Sequence, residues 1–246
     1  MPAQYKQKAP EIIPDCDLYI LDFSFDVQTL EKMRAISSSI LVLDHHKGAM
    51  DDLKNLSYAV FDMERSGAVM AWQHFHPGAP VPDFLLGVQD RDLWNFQLPT
   101  TEALSAGLRT KPRDFQTWDA FVKDAFALER LIETGQPVVD ANHTYINSMA
   151  PKAKKVPLMI EGCLQSIAMI NSTYLISDVG NTICKQNPDC FAALMYTITA
   201  DGVLCSLRSI GSKDVCALAK TFGGGGHINA AGFTLSHTEF FDKFLK

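Results

Sequence analysis

Three consecutive polar residues, Asp44, His45 and His46, follow the apolar run from Ser39 to Leu43. Such a run of branched apolar residues is typical of a strand buried on both faces of a parallel sheet. Hydrogen-bonding side chains cannot continue that strand, so we expect them in the crevice at its carboxyl end, where open α/β sheets bind ligands. Carboxylate and imidazole groups are ligands that suit manganese, iron or zinc. A polar loop without a metal is the alternative for any single Asp-His pair.

A second carboxylate, Asp22, follows the preceding apolar run from Leu18 to Leu21. The segment from Val27 to Ser37 lies between the two runs and has apolar residues at helical spacing. The order strand, helix, strand predicts a right-handed crossover with parallel strands. We therefore expect Asp22 and Asp44 to emerge at the same edge of one sheet.

A third carboxylate comes from the sequence Gln89-Asp90-Arg91-Asp92, which follows the apolar stretch from Phe84 to Val88. Asp90 is the residue that we expect to reach the crevice, although either aspartate could instead pair with Arg91 in a surface turn. The nearby Trp94 is most simply a core or boundary aromatic, and it could also line the crevice.

Upstream of this stretch, Ser66 is expected to cap a helix that reaches Phe75. The first amides of that helix could face an anion, and an ordinary core helix is the equal alternative.

Four consecutive glycines, Gly223 to Gly226, follow a predicted helix from Val215 to Phe222 and precede His227. One glycine is usually enough to end a helix. A glycine cluster also lets the backbone approach a ligand and turn its N–H groups inward, which suits phosphate. A flexible linker is the usual alternative. The neighbouring His227 and the compact sequence from Ala230 to Phe233 favour an ordered site.

The remaining pattern predicts an α/β protein with two domains. A polar lead-in covers residues 2–10, and residues 115–149 are expected to form helices with a break near Gly135 and Pro137. The basic segment from Met149 to Lys155 marks a boundary. We therefore predict a parallel-sheet domain over residues 1–114, a helical linker over 115–155 and a smaller α/β domain over 156–246.

The smaller domain is predicted to contain strands at residues 156–160, 166–170 and 191–199. A tight turn at Asp201-Gly202 is expected to lead into a further strand from Val203 to Arg208.

Composition narrows the class of function. The chain has 246 residues, a formal charge of −6 and 47% hydrophobic residues, which is ordinary for a globular protein. The negative net charge disfavours extended electrostatic binding to a long polyanion but allows binding of a small anionic substrate. The six cysteines include no C-x-x-C pair, and no apolar run is long enough for a membrane span. We therefore expect reduced thiols, a cytoplasmic location and no membrane partner.

The motifs together resemble the DHH/DHHA1 phosphoesterase family. The resemblance is carried by Asp22, the Asp44-His45-His46 triplet, Asp90, and Gly223 to His227 followed by Ala230-Ala231-Gly232. Members of this family include single-strand exonucleases, nano-RNases and dinucleotide phosphodiesterases. The resemblance implies an N-terminal parallel-sheet DHH domain, a helical linker and a C-terminal DHHA1 domain.

The resemblance also implies roles for the residues of the first domain. Asp22 would bridge two divalent ions, usually Mn²⁺, and His45 and Asp90 would bind one of them. Asp44 would orient an imidazole, and His46 would face the scissile phosphate.

In the second domain, the same resemblance assigns substrate binding to Arg208, to the backbone from Gly223 to Gly226 and to His227. These groups would hold the other phosphate or the terminal nucleotide of the substrate.

The implied function is a Mn²⁺-dependent phosphodiesterase that hydrolyses short oligonucleotides or dinucleotides to nucleoside monophosphates, and the family allows a homodimer. Nothing before Asp22 matches the earlier family motif that completes a two-metal cage. The chain thus looks like a member that lacks its first strand and first motif. One alternative is a catalytically impaired nucleotide-binding or phosphate-binding protein, and a further alternative is a pyrophosphatase or polyphosphatase.

Overall fold

The computed structural model describes residues 8–160 and 162–245, so most of the predicted polar lead-in lies outside the described residues. The chain divides into two compact units, Met1–Asp140 and Ala141–Lys246. The first contains a three-stranded sheet and the second a six-stranded sheet, which confirms the predicted α/β class. The division falls inside the segment expected to link the domains, and the exact domain limits remain a prediction.

The first unit opens with alternating strands and helices: β1 (Asp17–Leu21), α1 (Val27–Arg34), β2 (Ser39–Asp44), α2 (Lys47–Leu53) and β3 (Ala59–Phe61). The three strands are parallel, with β2 in the centre. Leu21 at the end of β1 lies opposite Leu43, and the amide of Asp22 donates to the Leu43 carbonyl at 2.8 Å. This register confirms that Asp22 and Asp44 emerge at the same edge of the sheet.

Five helices follow: α3 (Gly67–Phe75), α4 (Asp83–Asp92), α5 (Thr101–Leu108), α6 (Phe115–Lys123) and α7 (Ala125–Met149). Ser66 caps α3 as predicted, because its hydroxyl accepts from the amide of Val69. The apolar stretch from Phe84 to Val88 belongs to α4, and Asp90 and Asp92 lie in the last turn of the same helix.

The predicted helix break near Gly135 and Pro137 is wrong, because α7 continues through both residues. A Cβ atom on Gly135 would lie 1.8 Å from the carbonyl oxygen of Ala103, so this glycine allows α7 to lie directly against α5. Pro137 removes one helical hydrogen bond. Tertiary packing of α7 outweighs both local preferences, and the break falls at Asp124 instead.

Within its described residues, the second unit contains a short 3-10 turn and nine further elements: β4 (Lys154–Ile160), β5 (Cys163–Asn171), α8 (Ile176–Gln186), β6 (Ala192–Ile198), β7 (Val203–Arg208), α9 (Val215–Lys220), β8 (Gly225–His227), β9 (Ala230–Leu235) and α10 (His237–Phe244). The strand order is β4-β5-β6-β7-β9-β8, and only the β5–β6 pair is parallel. The predicted strands and the turn at Asp201-Gly202 are confirmed, since Thr199 N donates to the Gly202 carbonyl at 2.8 Å.

Each unit has its own apolar core. Leu30, Val42 and Leu53 are fully buried in the first unit, and Ile167 and Leu194 are fully buried in the second. In the part of the chain that the structure describes, no helix combines the length and the apolar character that a membrane crossing requires.

Candidate metal centre

Two aspartates surround His45 at the carboxyl edge of the parallel sheet. The Nε2 atom of His45 lies 3.1 Å from Oδ1 of Asp22 and 3.3 Å from Oδ2 of Asp92. One ligand atom from each residue can be chosen so that all three lie within 4.8 Å of one another. Two carboxylates and one imidazole form a donor set that suits Mn²⁺, Fe²⁺ or Zn²⁺. The chemistry of this group therefore fits a divalent cation.

The electrostatics of the same group also fit a cation. Burial disfavours the imidazolium form of His45, but the carboxylates of Asp22 and Asp92 outweigh burial and raise the pKa of His45. Partial burial raises the pKa of Asp92, and the charge of Asp22 raises it further, while His45 opposes both effects. Positive charge is thus favoured at this point, and a metal ion that replaced the imidazolium proton would supply it.

Asp44 holds the ring of His46 in a fixed orientation. Its side chain is 1% exposed, and its Oδ1 accepts from Nδ1 of His46 at 2.6 Å and from the amide of His45 at 2.8 Å. Its Oδ2 accepts from the hydroxyl of Ser24 at 2.6 Å. Burial alone would raise the pKa of Asp44, but His46 and Ser24 hold it below the usual value. The carboxylate is therefore ionised, and both of its oxygens accept hydrogen bonds that hold His46 and the neighbouring groups in position.

His46 is the more exposed of the two histidines. Its side chain is 39% exposed, whereas that of His45 is 3% exposed. The hydrogen bond with Asp44 raises the pKa of His46, although burial opposes this effect. Asp22, Asp44 and His46 form a second group with metal-ligand spacing, and it shares Asp22 with the first group. Asp22 thus occupies the position between the two groups that a bridging ligand requires.

Asp90 is not part of either group, contrary to expectation. Its buried carboxylate accepts from the amides of Gln97 at 2.9 Å and Leu98 at 3.0 Å, and also from the hydroxyl of Thr101. Burial favours a neutral Asp90, but these hydrogen bonds outweigh it and lower the pKa. The carboxylate that reaches His45 belongs to Asp92.

Helical geometry explains the difference between the two aspartates. Residues two positions apart in an α-helix point in nearly opposite directions, so only one of this pair can face His45. Phe84, Gly87 and Asp90 are the buried residues of α4, and their spacing of three places Asp90 on the inner face of the helix. The sequence pattern assigned no secondary structure to this apolar stretch, and predicting a helix there would have favoured Asp92.

Gly67 is a site residue that sequence reasoning missed. It is the first residue of α3, and a Cβ atom at this position would lie 2.4 Å from the Cβ and 2.6 Å from the Oδ1 of Asp22. Asp22 itself has a left-handed backbone with φ of 56°. The absence of a side chain at Gly67 is therefore what allows α3 to begin directly against the central carboxylate. Ser24, the second partner of Asp44, was also missed.

Arg208 in the second unit is fixed by contacts within that unit. Its Nη2 donates to the hydroxyl of Ser177 at 2.7 Å, and its Nη1 donates to the carbonyl of Leu207 at 2.7 Å. A Cβ atom on Gly180 would lie 2.8 Å from the Cγ of Arg208, so this glycine in α8 leaves room for the arginine. The guanidinium is thus held beside the first turn of α8.

The expectation that four glycine amides point toward a ligand is corrected for two of them. The amide of Gly223 donates to the carbonyl of Lys220 at 3.0 Å, and the amide of Gly224 donates to that of Ala219 at 2.9 Å. These two residues therefore end α9. Gly225 and Gly226 belong to β8, and a Cβ atom on Gly226, whose φ is 142°, would lie 2.5 Å from the Ala230 carbonyl. The segment is an ordered hairpin rather than a flexible linker.

The structure brings Arg208 and His227 to one face of the second sheet. Arg208 in β7 lies opposite Ala230 in β9, and Ala230 lies opposite His227 in β8. Residues directly opposite each other point to the same face, so the two cationic or hydrogen-bonding side chains flank Ala230. Two strand spacings separate their Cα atoms, which corresponds to about 10 Å.

Comparison with known proteins agrees with this architecture. Residues 175–246 match the DHHA1 domain family. The uncharacterized protein R106 of Acanthamoeba polyphaga mimivirus is 29% identical over 225 residues, which cover 89% of this chain and 53% of R106. The chain thus spans about half the length of the curated relative that it matches.

The solved structures that are similar to this chain include a nuclease and a phosphodiesterase. RecJ from Thermus thermophilus, in complex with Mn²⁺, aligns with a TM-score of 0.50 at 14% identity, and the alignment covers 91% of this chain and 43% of the RecJ chain. PggH, a pGpG-specific phosphodiesterase from Vibrio cholerae, aligns with a TM-score of 0.44 at 11% identity, and the alignment covers 92% of this chain and 95% of the PggH chain.

The second unit therefore contains a DHHA1 domain attached to a unit with a parallel sheet. The glycine-rich C-terminal motif thus falls within the residues that match the DHHA1 domain family, and membership of the whole chain in the DHH/DHHA1 phosphoesterase family remains a prediction.

Proposed function

We propose that this chain is a divalent-metal-dependent phosphodiesterase that hydrolyses short oligonucleotides or dinucleotides to nucleoside monophosphates. The observation that carries the proposal is the group formed by Asp22, His45 and Asp92 at the carboxyl edge of the parallel sheet. These residues would hold the ion, with Mn²⁺ as the preferred candidate. When bound, the ion supplies a Lewis acid that lowers the pKa of water and offsets negative charge on phosphoryl oxygens.

The chain's own residues supply the remaining functions. Asp44 accepts from Nδ1 of His46 and thereby fixes the proton on that nitrogen and the orientation of the ring toward the substrate's phosphate. In the second unit, Arg208 can bind phosphate oxygens through its planar fork of N–H groups. His227, on the same face of that sheet, adds a second hydrogen-bonding group.

Release of nucleoside monophosphate from a 5′-phosphorylated dinucleotide tests this proposal. With added Mn²⁺, the purified chain should produce monophosphates, and a chelator should abolish the reaction. Asp44→Ala should reduce kcat by at least about a hundredfold, because removal of a group that orients a general acid or base typically costs this much. If the folded parent chain releases no monophosphate in the presence of Mn²⁺, the proposal is contradicted.

One observation favours a second candidate, a nucleotide-binding or phosphate-binding protein with impaired catalysis. Asp44 is the carboxylate that the second ligand group needs, yet its oxygens are occupied by His45, His46 and Ser24. A second ion would thus have few ligands among the described residues. Equilibrium binding of the dinucleotide without turnover would support this candidate.

A dimer and a cytoplasmic location remain predictions.

A further inference from the structure

The loop that follows α4 contains two aromatic residues with unusual backbones. Trp94 has a φ of 61° and Phe96 a φ of 51°. Bulky residues rarely adopt this left-handed conformation, and it persists only where the surrounding structure imposes it. Such residues concentrate at binding sites, so the loop is a candidate for a role beyond chain connection.

Asp90 anchors the part of the loop that follows Trp94. Its main-chain carbonyl accepts from the amides of Asn95 at 2.9 Å and Phe96 at 3.4 Å. Its carboxylate accepts from the amides of Gln97 and Leu98, which follow immediately in the chain. Four consecutive amides are therefore bonded to one residue, and the loop wraps around it in a defined shape.

The loop presents a cation and two aromatic rings at the surface. The guanidinium carbon of Arg91 lies 4.3 Å from the centre of the Trp94 ring and 5.2 Å from that of Phe96. The two rings are 5.0 Å apart and perpendicular to each other. All three side chains are partly exposed.

These rings do not serve the apolar core. Among the residues that the structure describes, the hydrophobic clusters include neither Trp94 nor Phe96. Core packing therefore gives no reason for holding two aromatic residues in a strained backbone.

The position of the loop connects it to the candidate metal centre. Trp94 follows Asp92 by two residues, so their Cα atoms are at most about 7 Å apart. The Oδ2 atom of Asp92 lies 3.3 Å from Nε2 of His45. A flat group attached to a phosphate at that centre can therefore reach the chain segment that carries Trp94.

We propose that Trp94, supported by Arg91 on its ring, stacks on a nucleobase of the substrate whose phosphate lies at the metal centre. This inference rests on the proposed function and deepens it by naming the residue that would contact a base of the substrate. Stacking on an aromatic ring is possible for every base, so it provides affinity with little sequence preference. The guanidinium of Arg91 on the Trp94 ring restricts the motion of that ring and thereby favours stacking of a base on it.

A comparison of three substrates tests the proposal. One is a 5′-phosphorylated dinucleotide, and the others are its analogues that lack either the 5′ or the 3′ base. Trp94→Ala should raise KM for the complete dinucleotide by about tenfold, in line with the usual contribution of one stacked base, and leave kcat nearly unchanged. One of the two abasic analogues lacks the base that stacks on Trp94. For that analogue, the parent chain should have a KM about as high as that of Trp94→Ala for the complete dinucleotide, and Trp94→Ala should not raise this KM further. Trp94→Phe should retain most of the affinity.

Trp72 provides a matched control. It is a partly exposed tryptophan of the same unit, its ring stacks on His76 at 4.1 Å, and its Nε1 donates to the Pro80 carbonyl at 3.1 Å. Trp72→Ala should leave KM unchanged for all three substrates. An equal increase of KM by Trp94→Ala for the complete and both abasic substrates would overturn the proposal, because it would indicate a general effect on Asp92.

Failure of the proposed function would be distinguishable from failure of this inference. If the parent chain hydrolyses no dinucleotide, binding of adenosine monophosphate can be followed by fluorescence in a Trp72→Phe, Trp118→Phe background, where Trp94 is the remaining tryptophan. Quenching of Trp94 and about tenfold weaker binding by Trp94→Ala, measured by calorimetry, would support stacking. Unchanged binding in that variant would overturn it.

Discussion

Asp22 is the residue on which the proposed centre depends, and its environment is unusually specific. It has a left-handed backbone, follows β1 directly and contacts His45 at 3.1 Å. It also lies against Gly67, where even one added carbon would come within 2.4 Å of it. The position of this carboxylate is thus determined by the absence of an atom on a neighbouring helix.

Gly67→Ala should therefore displace Asp22 and weaken metal binding. We expect at least about a tenfold loss of Mn²⁺ affinity, comparable to other disturbances of groups that orient metal ligands. Alanine at the first turn of a helix is otherwise favourable, so the free energy of unfolding should change little or fall by only about 1–3 kcal/mol from overpacking. Calorimetric titration with Mn²⁺ and urea unfolding measure the two effects. An unchanged Mn²⁺ affinity would show that Asp22 does not depend on this contact.

At the scale of the elements, α7 shows tertiary packing overriding local preference. Gly135 is buried against the Ala103 carbonyl of α5, whereas Pro137 is exposed on the same helix. A corresponding close approach occurs at Gly107, where a Cβ atom would lie 2.3 Å from the Leu131 carbonyl. The two glycines thus allow α5 and α7 to approach each other closely.

Two substitutions in α7 should have effects of opposite sign. Gly135→Ala improves helix propensity but forces the two backbones apart, so we expect it to lower the free energy of unfolding by about 1–3 kcal/mol. Pro137→Ala restores a helical hydrogen bond at an exposed position and should raise it by about 1–3 kcal/mol. Urea unfolding of both variants, with exposed Glu133→Ala as the neutral control, measures these changes. Stabilisation by Gly135→Ala would contradict the close packing of α5 on α7.

The sequence was sufficient to predict the elements where one local signal dominates. Apolar runs predicted β2 and β7, and the Ser66 cap predicted the start of α3. The order of strand, helix and strand correctly placed Asp22 beside Asp44.

Features that depend on distant contacts could not be predicted in this way. The choice between Asp90 and Asp92 depends on which face of α4 is buried, and the apolar stretch alone does not show this. The roles of Gly67 and Gly135 depend on residues 45 and 32 positions away in the chain, Asp22 and Ala103. The division of the four glycines between a helix end and β8 likewise depends on pairing with β9.

At the scale of the whole molecule, stability should fall at alkaline pH because of Tyr58. Its hydroxyl donates to Oε1 of Glu31 at 2.7 Å, and burial together with this carboxylate raises its pKa to about 12. Below the ordinary value of 10, both the folded and unfolded states keep the phenol proton, so the contribution is constant. Between about 10 and 12 the unfolded state loses the proton first, and the free energy of unfolding therefore decreases.

Tyr58→Phe should remove this part of the pH dependence. Urea unfolding of the parent and the variant at several pH values from 8 to about 12 would reveal it, with the difference in free energy shrinking as pH rises. A difference that stays constant over this range would show that the phenol of Tyr58 is not protected in the folded state.

Each unit carries a part of the proposed activity, and the metal centre in the first unit is the part on which the remainder depends. Asp92 and Asp90 differ by two positions in α4, yet only the carboxylate of Asp92 faces His45. Direct titration of the purified chain with Mn²⁺, beside Asp92→Asn and Asp90→Asn, separates their roles independently of any substrate. The parent chain should bind Mn²⁺, Asp92→Asn should lose at least about tenfold in affinity, and Asp90→Asn should retain Mn²⁺ binding while unfolding at lower urea. Loss of binding in Asp90→Asn together with unchanged binding in Asp92→Asn would contradict a centre built from Asp22, His45 and Asp92.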